Sequence, residues 1–501
     1  MARQKPDRKK FMIRLIAIVL VALLIGGVIF SSIITLAYAD ELSGHTDLTL
    51  TIDEALGGAY ARQETTYVNR TGKTLNQVLF SINLNALRRA ETTPVEPQDF
   101  NDAYPAGFTP GGVELFEVMV DGAPANWGAQ GEGEAFIRVD CDIAPGACAQ
   151  FSFGYELLLP KARTFSGIDE MGWRLAFFYF QPVYYDQALE QFSAMALTPV
   201  GSAMYFDSQP VTLALDVPDT YLVASGGAQE ASGGAIGRKL INIKWADARD
   251  VALALSRRYA VSERAGDVHL AAYGNDARAC ARALDAAEKA VSVFSEMLGK
   301  CPVELIDIAK VGSPIPSSAH SGSIWVSDAV FSDAVALERA VVYGVAKQWF
   351  GQCVMVDPER EAWLTDALCT YLTCLYEQQV YGEARFLDML NRVCLDALKQ
   401  TVPGALMPDS DRALFPSAAA YQAVVVGRGT AVLNEVRKTV GDQAFRAALA
   451  SFYQENAGGV ASVEQFAGSI NRASGRELDR YLRDTLDTIG NYVNHNMDTY
   501  E

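Results

Sequence analysis

The chain has 501 residues, of which 50% are hydrophobic and 20% are charged. At about 100–200 residues per domain, this length predicts several domains with packed cores, and the apolar content excludes a wholly disordered or collagen-like chain. The net charge of -18 argues against a nucleic-acid partner, because phosphate binding needs clustered lysine and arginine side chains.

The first 38 residues have the pattern of a membrane anchor. Residues 15–38 contain no charged side chain, and six bases with one acid precede them. A helix of this length can cross a hydrocarbon core of about 30 Å, and the basic flank predicts a cytoplasmic amino terminus. We predict a single-pass signal-anchor in the cell membrane with an extracytoplasmic body. Cleavage after Ala39, which would give a secreted body, is the alternative.

From about Asp47 to Tyr259 the sequence is typical of short strands separated by turns. The predicted strands are Leu48 to Ile52, Gln77 to Leu84, Phe136 to Val139 and Val211 to Val217. Short strands without a helical period between them predict an antiparallel β-sandwich. We interpret the glycine-rich run 225–237 as a long hairpin loop. Cys141 and Cys148 flank a short turn and are a candidate disulfide pair.

Helical periodicity dominates after residue 275. Strands are predicted at 303–309 and 323–326, and helices at 276–298, from Ser332 or Asp333 to about 350, and at 361–380, 382–399, 428–440, 442–455 and 463–486. The predicted fold is therefore α+β and multidomain. Its parts are a basic tip and membrane helix (1–39), an N-terminal β domain (40–262), and an α/β domain that becomes helical (263–501).

Two phrases in the helical part carry a family resemblance. The chain reads KQWFG from Lys347 and WLTDA from Trp363, with eighteen residues between Lys347 and Asp366. This spacing resembles the membrane alanyl aminopeptidase family of gluzincin zinc metallopeptidases, whose pattern is HExxHQWFG followed by a glutamate within WLNEGFA. Further phrases at 201–224, 245–259 and 428–445 extend the resemblance over about 45–485. The resemblance implies a β-sandwich domain packed on a thermolysin-like α/β domain.

The family's chemical residues are replaced at each position that the resemblance aligns. Tyr343 and Lys347 stand where the two histidines belong, Gly344 where the general base belongs, and Asp366 at the third zinc ligand. The family's GxMEN glutamate aligns with Ala319 and its oxyanion-stabilising tyrosine with Val426. The four histidines of the chain are dispersed, and none lies within five residues of another. We therefore predict a degenerate member with no catalytic residues at these positions, no metal and no cofactor.

The substitutions together predict a metal-free pocket. If the framework persists, Lys347 and Asp366 converge, and the ammonium group could replace the positive charge of the metal. We predict a Lys347–Asp366 salt bridge, joined by the hydroxyl of Tyr343, in a vestigial cleft that also contains His320. The alternative is that both side chains turn to solvent and the cleft collapses.

Three other features receive a structural interpretation. In the segment 317–321 two serines precede His320, but a serine triad needs an orienting acid and none can be identified from the sequence. We expect a polar loop over the cleft. The aromatic run 173–185 could be a carbohydrate platform, and core packing is favoured. Glu361 could be a substitute base, and the start of an exposed helix is favoured.

The predicted function is that of a membrane-anchored, extracytoplasmic, aminopeptidase-like protein that is catalytically inactive and binds a peptide or protein. Two alternatives stay open. The first is an active zinc-dependent aminopeptidase with non-standard ligands, and the second is a hydrolase whose chemistry is metal-free and relocated.

Overall fold

The computed structural model describes residues 44–202, 204–399, 406–478 and 480–486. The predicted membrane segment 15–38 lies outside these residues. Within them, no helix combines the length and the apolar character needed to cross a bilayer. The described residues from His45 onward form one compact unit. We describe it as a β region (45–256) followed by a helical region (260–486). The domain boundary predicted near residue 262 stays a prediction.

The strands, in chain order, are β1 His45–Asp53, β2 Gly58–Val68, β3 Leu75–Ser81, β4 Gly112–Val120, β5 Ala123–Pro124, β6 Trp127–Gln130, β7 Phe136–Ile143, β8 Cys148–Leu158, β9 Gly167–Asp169, β10 Gly172–Ala176, β11 Gln181–Pro182, β12 Tyr185–Asp186, β13 Gln191–Phe192, β14 Gln209–Pro218, β15 Leu222–Ala224, β16 Ala228–Gly233, β17 Arg238–Ala248, β18 Ala252–Ser256, β19 Ala260–Arg264, β20 His269–Gly274, β21 Leu305–Val311, β22 Ser317–His320, β23 Ser323–Ser327, β24 Met355–Val356 and β25 Val460–Ala461.

The helices are α1 Phe100–Ala103, α2 Ala277–Leu298, α3 Asp328–Ser332, α4 Ala334–Trp349, α5 Trp363–Tyr381, α6 Glu383–Lys399, α7 Ala418–Tyr421, α8 Gly429–Val440, α9 Asp442–Asn456 and α10 Val463–Ser474. Residues Gln422–Arg428, between α7 and α8, form a π-helix. Short 3-10 turns occur at Asn83–Arg88, Ala90–Thr92, Pro97–Asp99, Glu132–Glu134 and Arg412–Leu414.

The β region is built on an eight-stranded sheet with the order β16-β17-β14-β1-β2-β8-β4-β5, faced by two four-stranded sheets. Burial alternates along β1, so Leu48, Leu50 and Ile52 enter the core. The expectation of purely antiparallel pairing is wrong at β1–β14, which are parallel. More than 150 residues separate these two strands in the sequence, so no tight hairpin dictates their relative direction.

The prediction of a long hairpin loop at residues 225–237 is wrong. This glycine-rich run contains edge strand β16, which pairs with β17. All six residues of β16 are exposed. No buried face therefore imposes the alternation by which a strand is recognised. The prediction that the aromatic run 173–185 packs in the core is confirmed. The buried residues in the β region are Trp173, Phe178, Tyr179 and Phe180.

A five-stranded sheet with the order β19-β20-β21-β23-β22 opens the helical region. The three central strands are parallel, and β22 pairs antiparallel with β23 at the edge. Alanines on β10, β15 and β18 pack against this sheet and form a separate small core. Small side chains allow the two sheets to approach closely. The β region and the helical region therefore meet face to face beside β22.

Side-chain caps fix the helices that follow. Asp276 caps α2 and Asp333 caps α4, each accepting two backbone N–H bonds, and Ser462 forms a capping box with Gln465 at α10. The predicted helix 463–486 is divided, because Gly475 adopts a left-handed φ of 66° after α10. Residues 480–486 are again helical.

The candidate disulfide between Cys141 and Cys148 is not formed, and both cysteines are free. Cys141 lies in β7 and Cys148 in β8, and these strands belong to different sheets. The turn that joins them is therefore a crossing between two layers. Cys148 is exposed opposite Val68, whereas Cys141 lies with its Sγ 3.6 Å from the carbonyl oxygen of Leu75.

Candidate functional site: an ion pair at the positions of metal ligands

Helices α4 and α5 bring the substituted positions together. Tyr343 and Lys347 are four residues apart on α4, so their side chains lie on one face of the helix. Asp366 lies in the first turn of α5. Helix α5 is buried along most of its length, which holds its first turn against α4.

The predicted ion pair is present. Lys347 Nζ donates to Asp366 Oδ1 at 2.9 Å, and the hydroxyl of Tyr343 donates to the same oxygen at 3.3 Å. The hydroxyl of Tyr421 donates to Asp366 Oδ2 at 2.7 Å. The side chains of Lys347 and Asp366 are 11% and 14% exposed. We refer to these four residues as the Lys347 cluster. The alternative, in which both side chains turn to solvent, is wrong.

Both members of the pair are charged. Burial alone would lower the pKa of Lys347, but Asp366 holds that pKa above its ordinary value. Burial alone would raise the pKa of Asp366. Lys347, together with the hydroxyls of Tyr421 and Tyr343, holds it below its ordinary value instead. Asp366 therefore carries the negative charge of the pair, and Lys347 carries the positive charge.

The donor set of the Lys347 cluster does not fit a zinc ion. Zinc sites in proteins use thiolate, imidazole and carboxylate ligands, with three protein ligands in catalytic sites. Burial and the neighbouring Asp366 raise the pKa of Tyr343 well above its ordinary value, so its phenol stays protonated. Lys347 is protonated as well, which leaves Asp366 as the one anionic ligand, and its oxygens already accept three hydrogen bonds. Among the described residues, no group of three or more His, Cys, Asp or Glu side chains could hold a metal. The absence of a cofactor stays a prediction.

The position of the general base is closed by packing. Gly344 faces Ile324 of β23, and a Cβ added at Gly344 would lie 2.6 Å from Ile324 Cγ2. Carbon atoms that are not bonded approach to about 3.5–4.0 Å. Helix α4 therefore lies too close to the sheet at this point to accept a longer side chain without a shift.

The two remaining aligned positions carry no side chain suited to the family's chemistry. Ala319 is a residue of edge strand β22, and Gln352 Nε2 donates to its carbonyl oxygen at 3.3 Å. Val426 is buried in the π-helix. The phenol that reaches the cluster is Tyr421, five residues before Val426, and the sequence alignment missed it. Tyr421 is the one tyrosine between Tyr381 and Tyr453, which was the signal that could have identified it.

Among the described residues no hydrogen bond or ion pair joins His320 to the Lys347 cluster, so its place in the vestigial cleft stays a prediction. Its Nδ1 contacts Asp250 Oδ2, and its Nε2 lies 3.3 Å from Ser318 Oγ. Asp250 follows β17 in the β region, and its contact with His320 was not identified from the sequence. The segment 317–321 is also not a loop, because residues 317–320 form β22.

Glu361 lies just before α5 and accepts a hydrogen bond from the backbone N–H of Val463 at 3.3 Å. Burial raises the pKa of Glu361 to about 7, in spite of that hydrogen bond. No contact joins Glu361 to the Lys347 cluster among the described residues. Its observed role is to hold the start of α10.

Comparison with known proteins places this site in a known domain. The Peptidase family M1 domain matches residues 326–486, which include the whole Lys347 cluster. Aminopeptidase N of Streptomyces lividans is 23% identical over 174 residues, or 33% of this chain and 20% of that protein. Endoplasmic reticulum aminopeptidase 2 of Homo sapiens is 22% identical over 126 residues, or 25% of this chain and 13% of that protein. The match thus spans a fifth or less of the length of these relatives.

The fold has close structural relatives. The M1 zinc metallopeptidase of Deinococcus radiodurans has a TM-score of 0.61 at 15% identity, over 89% of this chain and 93% of that chain. A mutant of that enzyme bound to a Tyr-Ser-Ala substrate has a TM-score of 0.61 at 16% identity, over 89% of this chain and 94% of that chain. Residues 326–486 are thus similar to the Peptidase family M1 domain, and the described chain shares the fold of M1 metallopeptidases. The HExxH zinc motif of that family is absent from the sequence.

Proposed function

We propose that this protein is a pseudopeptidase, inactive as a zinc aminopeptidase, that binds a peptide or protein. The observation that carries the proposal is the ion pair between Lys347 and Asp366, at positions where the family holds its metal. A protonated ammonium group repels a divalent cation, and Gly344 has no group to activate water.

Strand β22 supports the binding part of the proposal. Within the described residues it pairs with β23 alone, and at its other edge the carbonyl oxygen of Ala319 accepts a hydrogen bond from the side chain of Gln352, with no further strand paired there. The backbone N–H of Ser327 donates to Pro316, and antiparallel alternation then turns the N–H groups of Ser317 and Ala319 toward the open edge. An exposed edge can accept an extended peptide as an additional strand. The peptide-bound Deinococcus structure shows that a protein of this fold can hold a tripeptide.

The enzyme part is tested on the purified full-length protein. We expect less than stoichiometric zinc by elemental analysis, and no aminoacyl-amide hydrolysis that a chelator abolishes. Stoichiometric zinc together with chelator-sensitive turnover would overturn the proposal and establish an active aminopeptidase with non-standard ligands.

The binding part is tested with a library of extended peptides and one blocked edge. Ala319→Pro removes a backbone N–H from the open edge, where proline is tolerated. Ser317→Ala is the matched control, because it truncates a side chain of the same strand and leaves the backbone intact. We expect Ala319→Pro to weaken peptide binding at least about tenfold, which is about 1.4 kcal/mol, and the control to bind like the unaltered protein. Equal affinity of the two variants would exclude β22 as the binding edge.

We also propose that residues 15–38 anchor the protein in the cell membrane with its body outside the cytoplasm. The support is the uncharged length of this segment and its basic flank. Protease added to intact cells should digest the body. Protection of the body in intact cells would reject this topology.

A further inference from the structure

Ser318, His320 and Asp250 meet where the β region contacts edge strand β22. Ser318 and His320 are two residues apart on β22, so their side chains lie on the same face of the sheet. Asp250 comes from the segment between β17 and β18. It is separated from His320 by 70 residues, so the fold and not the local sequence creates this contact.

The three side chains form a directed chain of contacts. Ser318 Oγ lies 3.3 Å from His320 Nε2, and His320 Nδ1 contacts Asp250 Oδ2. The backbone N–H of Ser321 donates to Asp250 Oδ1 at 3.2 Å, which fixes the carboxylate. With Nδ1–H donating to Asp250, the lone pair of Nε2 is directed to the serine hydroxyl. A nucleophile, a base and an orienting acid are connected in this way in serine hydrolases.

In a nucleophilic site the nucleophile must be accessible to substrate, while the groups that orient it can be buried. The three side chains follow this pattern. The side chains of His320 and Asp250 are 7% and 2% exposed, whereas Ser318 is partly exposed. The residue directly opposite Ser318 in register is Trp325, so its side chain lies on the same face. The indole N–H of Trp325 is buried without a hydrogen-bond partner among the described residues. It is an unused donor of a side chain on the same face of the sheet as the serine.

We propose that Ser318, His320 and Asp250 form a metal-free acyl-transfer site for carboxylic esters, which uses none of the four residues of the Lys347 cluster. Ser318 Oγ forms a bond to the acyl carbon, and its proton passes to His320 Nε2. The bond between the acyl carbon and the leaving oxygen breaks, and that oxygen takes the proton from His320. Water then attacks the acyl-serine, giving up its proton through His320, and releases the acid with free Ser318. The indole N–H of Trp325 serves the developing oxyanion.

The test uses the full-length protein, a fluorophosphonate that phosphonylates activated serines with loss of fluoride, and peptide mapping by mass spectrometry. We expect an adduct on Ser318, none there in Ser318→Ala, and at least about a hundredfold slower labelling in His320→Gln. The matched control is Ser317→Ala, which removes the neighbouring hydroxyl from the same strand and should be labelled at the unaltered rate.

The test uses no variant of Asp250, because replacing this buried residue could unfold the protein. The unaltered protein should also hydrolyse a p-nitrophenyl ester with a rate that a chelator does not change and that Ser318→Ala abolishes. Absence of an adduct at Ser318 in folded protein, or labelling no faster than in urea-unfolded protein, would overturn the proposal. Neither result depends on zinc content or peptide affinity. Failure of the acyl-transfer proposal is therefore distinguishable from failure of the proposed function.

Discussion

Lys347 and Asp366 hold opposite charges in surroundings that exclude most water. Removing a charge from water carries a large free-energy cost, which the partner charge and further hydrogen bonds must offset. Here the carboxylate accepts three hydrogen bonds, two of them from phenols. Each charge is therefore stable only while the others remain in place.

Removing one partner of this pair should be costly. We expect Lys347→Ala to lower the free energy of unfolding by about 3–5 kcal/mol, because it leaves Asp366 buried and uncompensated. The double variant Lys347→Met/Asp366→Asn should lose less than the sum of its single changes. Chemical denaturation checks both expectations.

The control for this comparison is Lys300→Ala, at an exposed lysine. It should change stability by no more than about 0.5 kcal/mol. Additive losses in the double variant would show that Lys347 and Asp366 do not interact energetically.

At the scale of elements, α4 lies unusually close to β23 where Gly344 meets Ile324. The side chain of a catalytic base would occupy the volume that Ile324 now fills. Changing residues 343, 344, 347 and 366 to His, Glu, His and Glu would therefore not be sufficient to rebuild the family's site. The strand beneath the helix must change as well.

This packing predicts that the effect of Gly344→Ala on stability changes sign when Ile324 is shortened. Gly344→Ala should destabilise the protein by about 1–3 kcal/mol through overpacking. In an Ile324→Ala background the clash is absent, and the same change should be neutral or stabilising by up to about 1 kcal/mol, since alanine favours helix over glycine.

Gly468→Ala in α10 is the matched helical control, because its Cβ would meet nothing closer than 3.4 Å. It should not destabilise the protein in either background. If Gly344→Ala costs the same with and without Ile324, the close contact is not the cause.

The sequence predicted elements where a buried face imposes a period. Helices α2 and α4 were found because apolar residues recur every three or four positions and Asp276 or Asp333 caps the start. Strand β16 was missed because its side chains are all exposed. The break at Gly475 was missed because helical residues resume after it.

At the scale of the whole molecule, two buried charges join the β region to the helical region. Arg249 donates to the carbonyl oxygens of Gln352, Cys353 and Gly459. Asp307 of β21 accepts hydrogen bonds from the backbone N–H groups of Ser225 and Gly226, at 2.8 and 2.9 Å. The two regions are thus joined by hydrogen bonds at two places.

Asp307 gives this contact a pH dependence. Burial raises the pKa of Asp307 to about 6 from an ordinary value of 3.8, although two N–H groups oppose the shift. Between these values the folded protein binds more protons than the unfolded chain, so Asp307 makes the protein less stable as the pH rises. In Asp307→Asn this part of the dependence should vanish, a difference of up to about 3 kcal/mol between pH 4 and pH 7.

Urea denaturation at intervals from pH 4 to pH 7 measures this difference. Asp267→Asn, at an exposed aspartate, is the control and should follow the unaltered protein. Identical pH profiles for Asp307→Asn and the unaltered protein would show that Asp307 keeps its charge in the folded state throughout this range.

The sequence predicted those contacts of the candidate site that follow from the spacing of residues along the chain. The distance along the chain between Lys347 and Asp366 follows the family pattern, and their contact followed from it. Tyr421 and Asp250 were missed because their contacts depend on how distant segments pack. Asp250 contacts His320 only after the β region has closed on β22.

The π-helix Gln422–Arg428 makes chain length at this point matter as well as residue identity. It directly follows Tyr421 and leads into α8, which is fixed where Gly429 packs on Ala367. A π segment fits one more residue than an α-helix over the same path. Loss of a single codon here would let the helix rewind, turning Tyr421 by about 100° away from Asp366. Evolution can therefore replace the buried valines of this stretch by apolar residues of similar size but cannot shorten it without unlocking the carboxylate.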